Sequence, residues 1–360
     1  MFAGPLRYVQ GPGALDLLGE VLAPYGDQPL IVTDAYVHGL LGDRLTVILA
    51  RSGMSPVFRE LAGEITAGAA DEITASVREI GPRVVVGVGG GKSLDAAKAV
   101  SLRLELPVVT VPSVASNDSP TSAAIAMYDD DHRLVSVDRL PANPHAVVVD
   151  TDLVAAAPVA FLRAGIGDAV AKKFEAAACR AGSGVTALGT RPLQIGSAIA
   201  DACYDVLREH AAAGLAACER NRVDESLEAV VEAVLLLSGL GFENGGLSLA
   251  HSLTRGLMQA RGARDAMHGQ QVAWATLVQR MVEQAPANEV SDLRSFLIEV
   301  GLPTELDGLG MPSPTVEEIR DIARITMTAP HLANLSVPLT ADLLVDAVLA
   351  VERLGAPAIA

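Results

Sequence analysis

The run VVVGVGGGKSLDAAKAV, residues 84–100, constrains the fold of this chain more than any other segment. Val84, Val85, Val86 and Val88 read as a strand buried on both faces, because a half-exposed strand would alternate with polar residues. Three consecutive glycines then turn the chain, and the Ala-rich stretch that follows opens a helix. Neighbouring segments repeat the pattern. PLIVTD (29–34), TVILA (46–50), LPVVTVP (106–112) and HAVVVD (145–150) read as further strands, separated by amphipathic stretches such as AADEITASVREI (69–80). This alternation predicts an α/β domain with a mainly parallel sheet. AAIAMYDDDHRLVSVD (123–138) departs from it, since two strand-like runs flank Asp129–Asp130–Asp131 and read as an antiparallel hairpin.

After Asp150 the strands stop. Val223, Leu227, Val230, Val231, Val234 and Leu235 recur at the spacing of one helix face, with Asp224, Glu225, Glu228 and Glu232 on the other. Similar periods cover 158–181, 190–213, 242–260, 267–285, 289–300, 315–327 and 339–354. The expected division is an α/β domain over 1–155 and an all-helical domain over 156–360, joined near 150–158, in keeping with about 150 residues per domain.

Composition narrows the function classes. Half of the residues are hydrophobic, which excludes a disordered chain. The balance of 27 basic against 43 acidic residues gives a net charge of −16, which repels phosphate backbones and anionic lipid. No nucleic-acid or membrane partner is expected. Ala233–Phe242, the longest promising apolar stretch, lies between Glu232 and Glu243 and falls short of the roughly 20 residues a spanning helix needs. The N-terminal MFAGPLRYVQGPGAL shows no basic start followed by an apolar run, so no signal peptide is expected. Cys179, Cys203 and Cys218 are odd in number and set in Ala-rich helical sequence, which predicts buried, reduced thiols and a cytoplasmic setting.

Three segments carry chemistry. Glycines let backbone N–H groups approach a ligand, and a helix N-terminus is partially positive, so residues 89–93 suit a pyrophosphate. The segment fits neither standard template. A P-loop would need glycine at Val86, and the third glycine of GxGxxG falls on Lys92. A purely structural glycine turn is the alternative. Asp34 ends its strand where a carboxylate can accept hydrogen bonds from an adenosine ribose and repel a 2′-phosphate, favouring NAD over NADP, or can simply cap a turn. TVPSVASNDSPTSAAIAMY (110–128) is a polar loop at the carboxyl end of a strand, where ligands bind in open α/β sheets, or a plain surface loop.

In the helical half, His251 interrupts the apolar GFENGGLSLAHSLTRGLM and His268 opens ARDAMHGQQVAWATL. A straight helix would hold them about 25 Å apart, but Gly262 offers a break that can fold two helices together. Asp168 follows a glycine in RAGIGDAVAKKFEA. One aspartate and two histidines can make a three-ligand metal site open to substrate. Taken singly, each has a core or capping role as its alternative.

These motifs coincide in one family. The chain resembles the glycerol dehydrogenases of the iron-containing (group III) alcohol dehydrogenase superfamily, through YVQGPGAL, GVGGGKSLDAAKAV, VPSVASNDSPTSA, FLRAGIGDAVAKKFEA, SGLGFENGGLSLAHSL and MHGQQVA. The resemblance implies an N-terminal dinucleotide domain of dehydroquinate synthase-like architecture, a helical domain, and a divalent metal in the cleft between them. Zinc is usual in glycerol dehydrogenases, with iron(II) the other candidate. It implies metal ligands at Asp168, His251 and His268, pyrophosphate contacts at Gly90, Gly91, Lys92 and Asp95, and an adenosine contact at Asp34. Further cofactor contacts would fall at Ser113, Ser116, Ser122, Ala124 and Tyr128, with a substrate hydroxyl on Asp118. Ser113, Asn117 and Gln270 depart from the residues often found there. A homo-oligomer is also implied.

The expected activity is metal-dependent hydride transfer between the secondary alcohol of a small polyol and NAD. Three rivals use the same scaffold: a cyclising lyase acting on sugar phosphates, a glycerol-phosphate dehydrogenase, and a non-catalytic nucleotide-binding paralogue. The first two need several basic residues near the metal, and the motifs offer only Lys92, Lys172, Lys173, Arg255 and Arg264. The third leaves an intact Asp–His–His set without a purpose.

Overall fold

The computed structural model describes residues 1–355. The valine runs form strands because branching at Cβ suits the pleated backbone, and they lie fully buried between two layers. The eight strands are β1 (Tyr8–Gly11), β2 (Leu30–Thr33), β3 (Val57–Glu60), β4 (Val85–Gly89), β5 (Val108–Pro112), β6 (Ala124–Tyr128), β7 (Leu134–Arg139) and β8 (Ala146–Asp150). Six of them form one sheet in the order β1-β8-β5-β4-β2-β3, with every pairing parallel. β6 and β7 make the expected antiparallel hairpin. Two apolar clusters cover the sheet, one around Leu15, Leu45, Val86 and Val148, the other around Leu30, Val77, Val85 and Val100.

The order of the strands locates a ligand crevice. From β2 the chain runs outward to β3, then returns to the other flank of β2 to lay down β4, and continues through β5 and β8. The direction therefore reverses between β2 and β4. Ligands of open α/β sheets bind outside the carboxyl ends of strands at such a reversal. Asp34 follows β2 and Gly90–Gly91 follow β4, so both occupy that position.

Residues 46–50 are not a strand. They lie inside the Ala35–Arg51 helix, which buries Val37, Leu41, Leu45, Ile48 and Leu49 on one face. That helical spacing outweighs the β-branched Thr46, Val47 and Ile48, since β-propensity yields readily to context. β1 and β3 escape the strand expectations because they are half-buried sheet edges without a continuous apolar run.

The chain forms two compact units. The sheet-bearing unit comprises Ala3–Val159 and, unlike the expected division after residue 155, also Ala217–Gly239. Glu228 ties this helical segment to the sheet. Gln10 Nε2 donates to its Oε2 at 2.6 Å and to its carbonyl at 2.9 Å, and the Thr151 hydroxyl donates to Oε1 at 2.6 Å.

The second unit contains helices and no strand among its described residues, the helices including Val159–Ala181, Leu249–Leu257 and His268–Val282. The single helix expected over 242–260 breaks at Gly246, where φ is +99° and a Cβ would lie 2.6 Å from Cys179 Sγ. A new helix then starts at Leu249 and carries His251. All three cysteines are buried thiols, as expected. No helix among the described residues is long and apolar enough to cross a membrane.

Candidate active site

Glycine brings Asp168 and His268 together. Asp168 lies in the Val159–Ala181 helix, and His268 begins the helix ending at Val282. A Cβ on Gly269 would overlap the Ala164 carbonyl and reach 3.0 Å from the Asp168 amide, and one on Gly167 would press on the Gly269 carbonyl. Only two glycines allow so close an approach. Gln270, one of the departures noted above, accepts a hydrogen bond from the Met267 N–H at 3.0 Å and fixes the start of the His268 helix.

The three candidate ligands converge on one point. His251 Nε2 lies 3.1 Å from Asp168 Oδ1, and His268 Nε2 lies 3.7 Å from the same oxygen. One donor atom from each residue falls within 4.8 Å of the others. An oxygen and two imidazole nitrogens suit zinc or iron(II), leaving coordination positions open.

Two further residues complete this cluster: Glu175, which the sequence reading did not single out, and Lys172, which it named only as a nearby basic residue. Glu175 Oε2 faces His251 Nδ1 at 2.5 Å, so this ring nitrogen carries a proton and Nε2 points to the site. Carboxylates behind ligating histidines commonly set ring orientation in this way. Glu175 Oε1 also accepts the N–H groups of Ser248 at 2.8 Å and His251 at 3.0 Å, holding the start of the helix that carries His251. Lys172 Nζ reaches Asp168 Oδ1 at 2.8 Å and His251 Nε2 at 3.1 Å. Asp168, Lys172 and Glu175 stand at i, i+4 and i+7, one face of a helix.

Charge is balanced inside the cluster. Burial alone would raise the Asp168 carboxyl, but Lys172, with His251 and His268, holds it well below the usual carboxylate range. Burial likewise would raise Glu175, and His251 with Lys172 pulls it down instead. The His251 imidazole is pushed down by burial and by Lys172, yet Glu175 and Asp168 raise it to about 9. Each carboxylate is thus kept ionised and aimed at cationic partners. Ionised carboxylates are what a divalent ion requires of its oxygen ligands, and a ligating His251 must be in its neutral form.

The other candidates gather at the switch point of the sheet. Gly87 lets the Gly91–Leu104 helix settle onto β4, since a Cβ there would lie 2.7 Å from Ala97 Cβ. That helix has Gly90 as its N-cap, with no side-chain cap, so its first amides can meet an anion. The capping role of Asp34 is seen directly. Its Oδ1 caps the Ala35–Arg51 helix by accepting the Val37 N–H at 2.9 Å, and its Oδ2 accepts the Ser93 hydroxyl at 3.0 Å. The Ser113 N–H donates to the Gly89 carbonyl at 3.0 Å, joining the polar loop to the glycine turn. Ser116 is half-buried on that loop and Ser122 is buried behind it.

Asp95 faces inward. Its oxygens accept Ser119 Oγ at 2.6 Å, Lys98 Nζ at 3.0 Å and the Ala126 N–H at 3.0 Å. Fully buried Lys98, another residue the sequence reading missed, also donates to the Ala124 carbonyl at 2.9 Å. The pair braces the polar loop and β6 against the helix. Lys92 is half-exposed and donates to Glu64 Oε1 at 2.5 Å. Tyr128 stacks on His132, with centroids 5.0 Å apart, and burial together with Asp95 and Glu64 pushes its phenol up to about 12. Asp118 Oδ2 accepts the hydroxyl of buried Ser238 at 3.3 Å. The nucleotide candidates thus lie in the sheet-bearing unit, and the metal candidates in the helical one.

Comparison with known proteins adds a family context. Residues 5–151 match the family described as iron-containing alcohol dehydrogenase. A glycerol dehydrogenase of Pseudomonas putida is 36% identical over 98% of this chain and 96% of its own length. A glycolaldehyde reductase of Halobacterium salinarum is 35% identical over 99% of this chain and 98% of its own. The crystal structure of a probable glycerol dehydrogenase from Sinorhizobium meliloti superposes with a TM-score of 0.93 at 35% identity, covering 98% of both chains.

Proposed function

The chain belongs to the iron-containing alcohol dehydrogenase family, and on that premise we propose that it transfers a hydride between the secondary alcohol of a small polyol, glycerol or a related vicinal diol, and NAD. The observation that carries this reading is the convergence of Asp168, His251 and His268, with Glu175 fixing the His251 ring. These residues would hold one divalent ion, with zinc assigned on the nitrogen-rich ligand set and the family resemblance. When bound, the ion supplies Lewis-acid polarisation of the substrate oxygen and the nicotinamide accepts the hydride.

The chain's own residues bind and orient. The amides after Gly90 and the Lys92 ammonium take the cofactor pyrophosphate, while Asp34 takes the adenosine ribose. Asp95 and Lys98 keep the loop bearing Ser113, Ser116 and Ser122 in register with that site, next to Ala124 and Tyr128. Asp118 receives a substrate hydroxyl. A carboxylate accepts hydrogen bonds from hydroxyls and repels phosphate, which favours a neutral polyol over a phosphorylated one. The glycolaldehyde reductase among the relatives acts on a small hydroxylated carbonyl compound of the same size class, though at an aldehyde, whose reduction gives a primary alcohol. A homo-oligomeric, cytoplasmic enzyme completes the reading.

Substrate choice is tested by kcat/KM for glycerol, 1,2-propanediol, 2-propanol and glycerol 1-phosphate, in wild type and Asp118→Ala. The variant should lose far more on diols than on 2-propanol, because a site built for a hydroxyl discriminates steeply once its polar partner is gone. Preference for the phosphate ester would sink the proposal. Equal losses on diol and mono-alcohol would remove Asp118 from its role.

Cofactor choice is tested at Asp34. Wild type should turn over with NAD and poorly with NADP, and Asp34→Gly should narrow the gap by removing the charge that repels the 2′-phosphate. The change also removes the cap on Val37, at a cost of only a few tenths of a kcal/mol because glycine is itself a tolerated N-cap. Equal use of both cofactors by wild type would refute the assignment.

A further inference from the structure

We infer that Lys172 sets metal affinity in this chain, holding the ligand side chains together before an ion arrives and opposing the ion once it does. The inference rests on reading Asp168, His251 and His268 as metal ligands. The Lys172 side chain is only 1% exposed, an unusual place for a lysine. Its ammonium touches Asp168 Oδ1 at 2.8 Å and His251 Nε2 at 3.1 Å, two of the three atoms the ion would take. It also lies 5.8 Å from the centre of the Phe242 ring, which gives the charge an apolar neighbour in place of water.

A buried cation at this spot has two opposed effects. Without metal, Asp168 and Glu175 are two buried carboxylates, and Lys172 supplies one of the positive charges that make their burial tolerable. With metal, the ammonium and the ion must share Asp168, and like charges in a poorly solvated site repel strongly. The His251 nitrogen cannot hold both at contact distance. Lys172 therefore stabilises the metal-free chain and weakens its hold on metal. Small zinc domains, whose fold depends on the ion, unfold when stripped. This chain should stay folded.

The test compares wild type with Lys172→Met, Lys172→Gln and Lys172→Arg. Zinc affinity is read by competition with a chromophoric chelator, and stability from the Tm of chelator-treated and zinc-loaded protein. Lys172→Met and Lys172→Gln should bind zinc at least tenfold more tightly. Their metal-free Tm should fall by about 5–10 °C, with the zinc-loaded Tm moving much less. Lys172→Arg keeps the charge and should stay near wild type in affinity. If the methionine variant does not fold, the glutamine variant alone decides. Unchanged or weaker zinc binding in the neutral variants, with wild type still taking up one ion, would overturn this inference and spare the metal site. Failure of wild type to take up zinc or iron(II) would overturn both.

Discussion

Asp168→Ala should lower kcat/KM on polyols by at least about 10³-fold, since a Lewis-acid ion contributes several kcal/mol to the transition state and each 1.36 kcal/mol is a factor of ten. The same change should destabilise the helical unit. Asp168 is buried and accepts from Lys172 at 2.8 Å, with His251 at 3.1 Å. Removing the carboxylate leaves the buried Lys172 ammonium without its ion partner, at a cost of about 3–5 kcal/mol. Asp168→Asn keeps the shape and should recover part of the stability but little of the turnover. Steady-state kinetics and thermal melts separate the two effects. Turnover within tenfold of wild type in both variants would remove Asp168 from the metal site.

Gly269→Ala should be nearly as damaging, although it changes no ligand. The added methyl would strike the Ala164 carbonyl and crowd the Asp168 amide, both of them backbone, so no side chain can swing away. Overpacking of this kind costs about 1–3 kcal/mol and more where the backbone itself must move. A loss of roughly 3 kcal/mol corresponds to a Tm lower by about 6–12 °C. Separating the two helices also draws His268 from Asp168, so zinc content should fall as well. A Tm within about 2 °C of wild type, with one zinc retained, would show that the helices do not meet as described.

The contrast between these residues and the valine runs explains what was legible in the sequence. Strands β2, β4, β5 and β8 announce themselves because buried parallel strands need apolar side chains on both faces, a local property. The glycine turn and Asp34 were readable for the same reason, and the sheet order then explains why they meet. The proposed metal cluster is not local. Asp168 and His251 stand 83 residues apart and meet only through tertiary packing of separate helices. Family resemblance supplied what spacing could not. Lys172 and Glu175 were within reach of a helical-face argument from Asp168, but charges in an Ala-rich helix read equally well as a solvated face. Residues 217–239 were assigned to the wrong neighbour because their amphipathic pattern says which face is buried and nothing of what buries it.

Formation of NADH from NAD and glycerol by protein stripped of metal, before and after one equivalent of zinc per chain, tests the proposed chemistry most directly. The stripped chain should stay folded and form no NADH above background, and zinc should restore turnover in proportion to occupancy. Full turnover by the stripped chain, or none by the reloaded chain with any of the small diols, would contradict it.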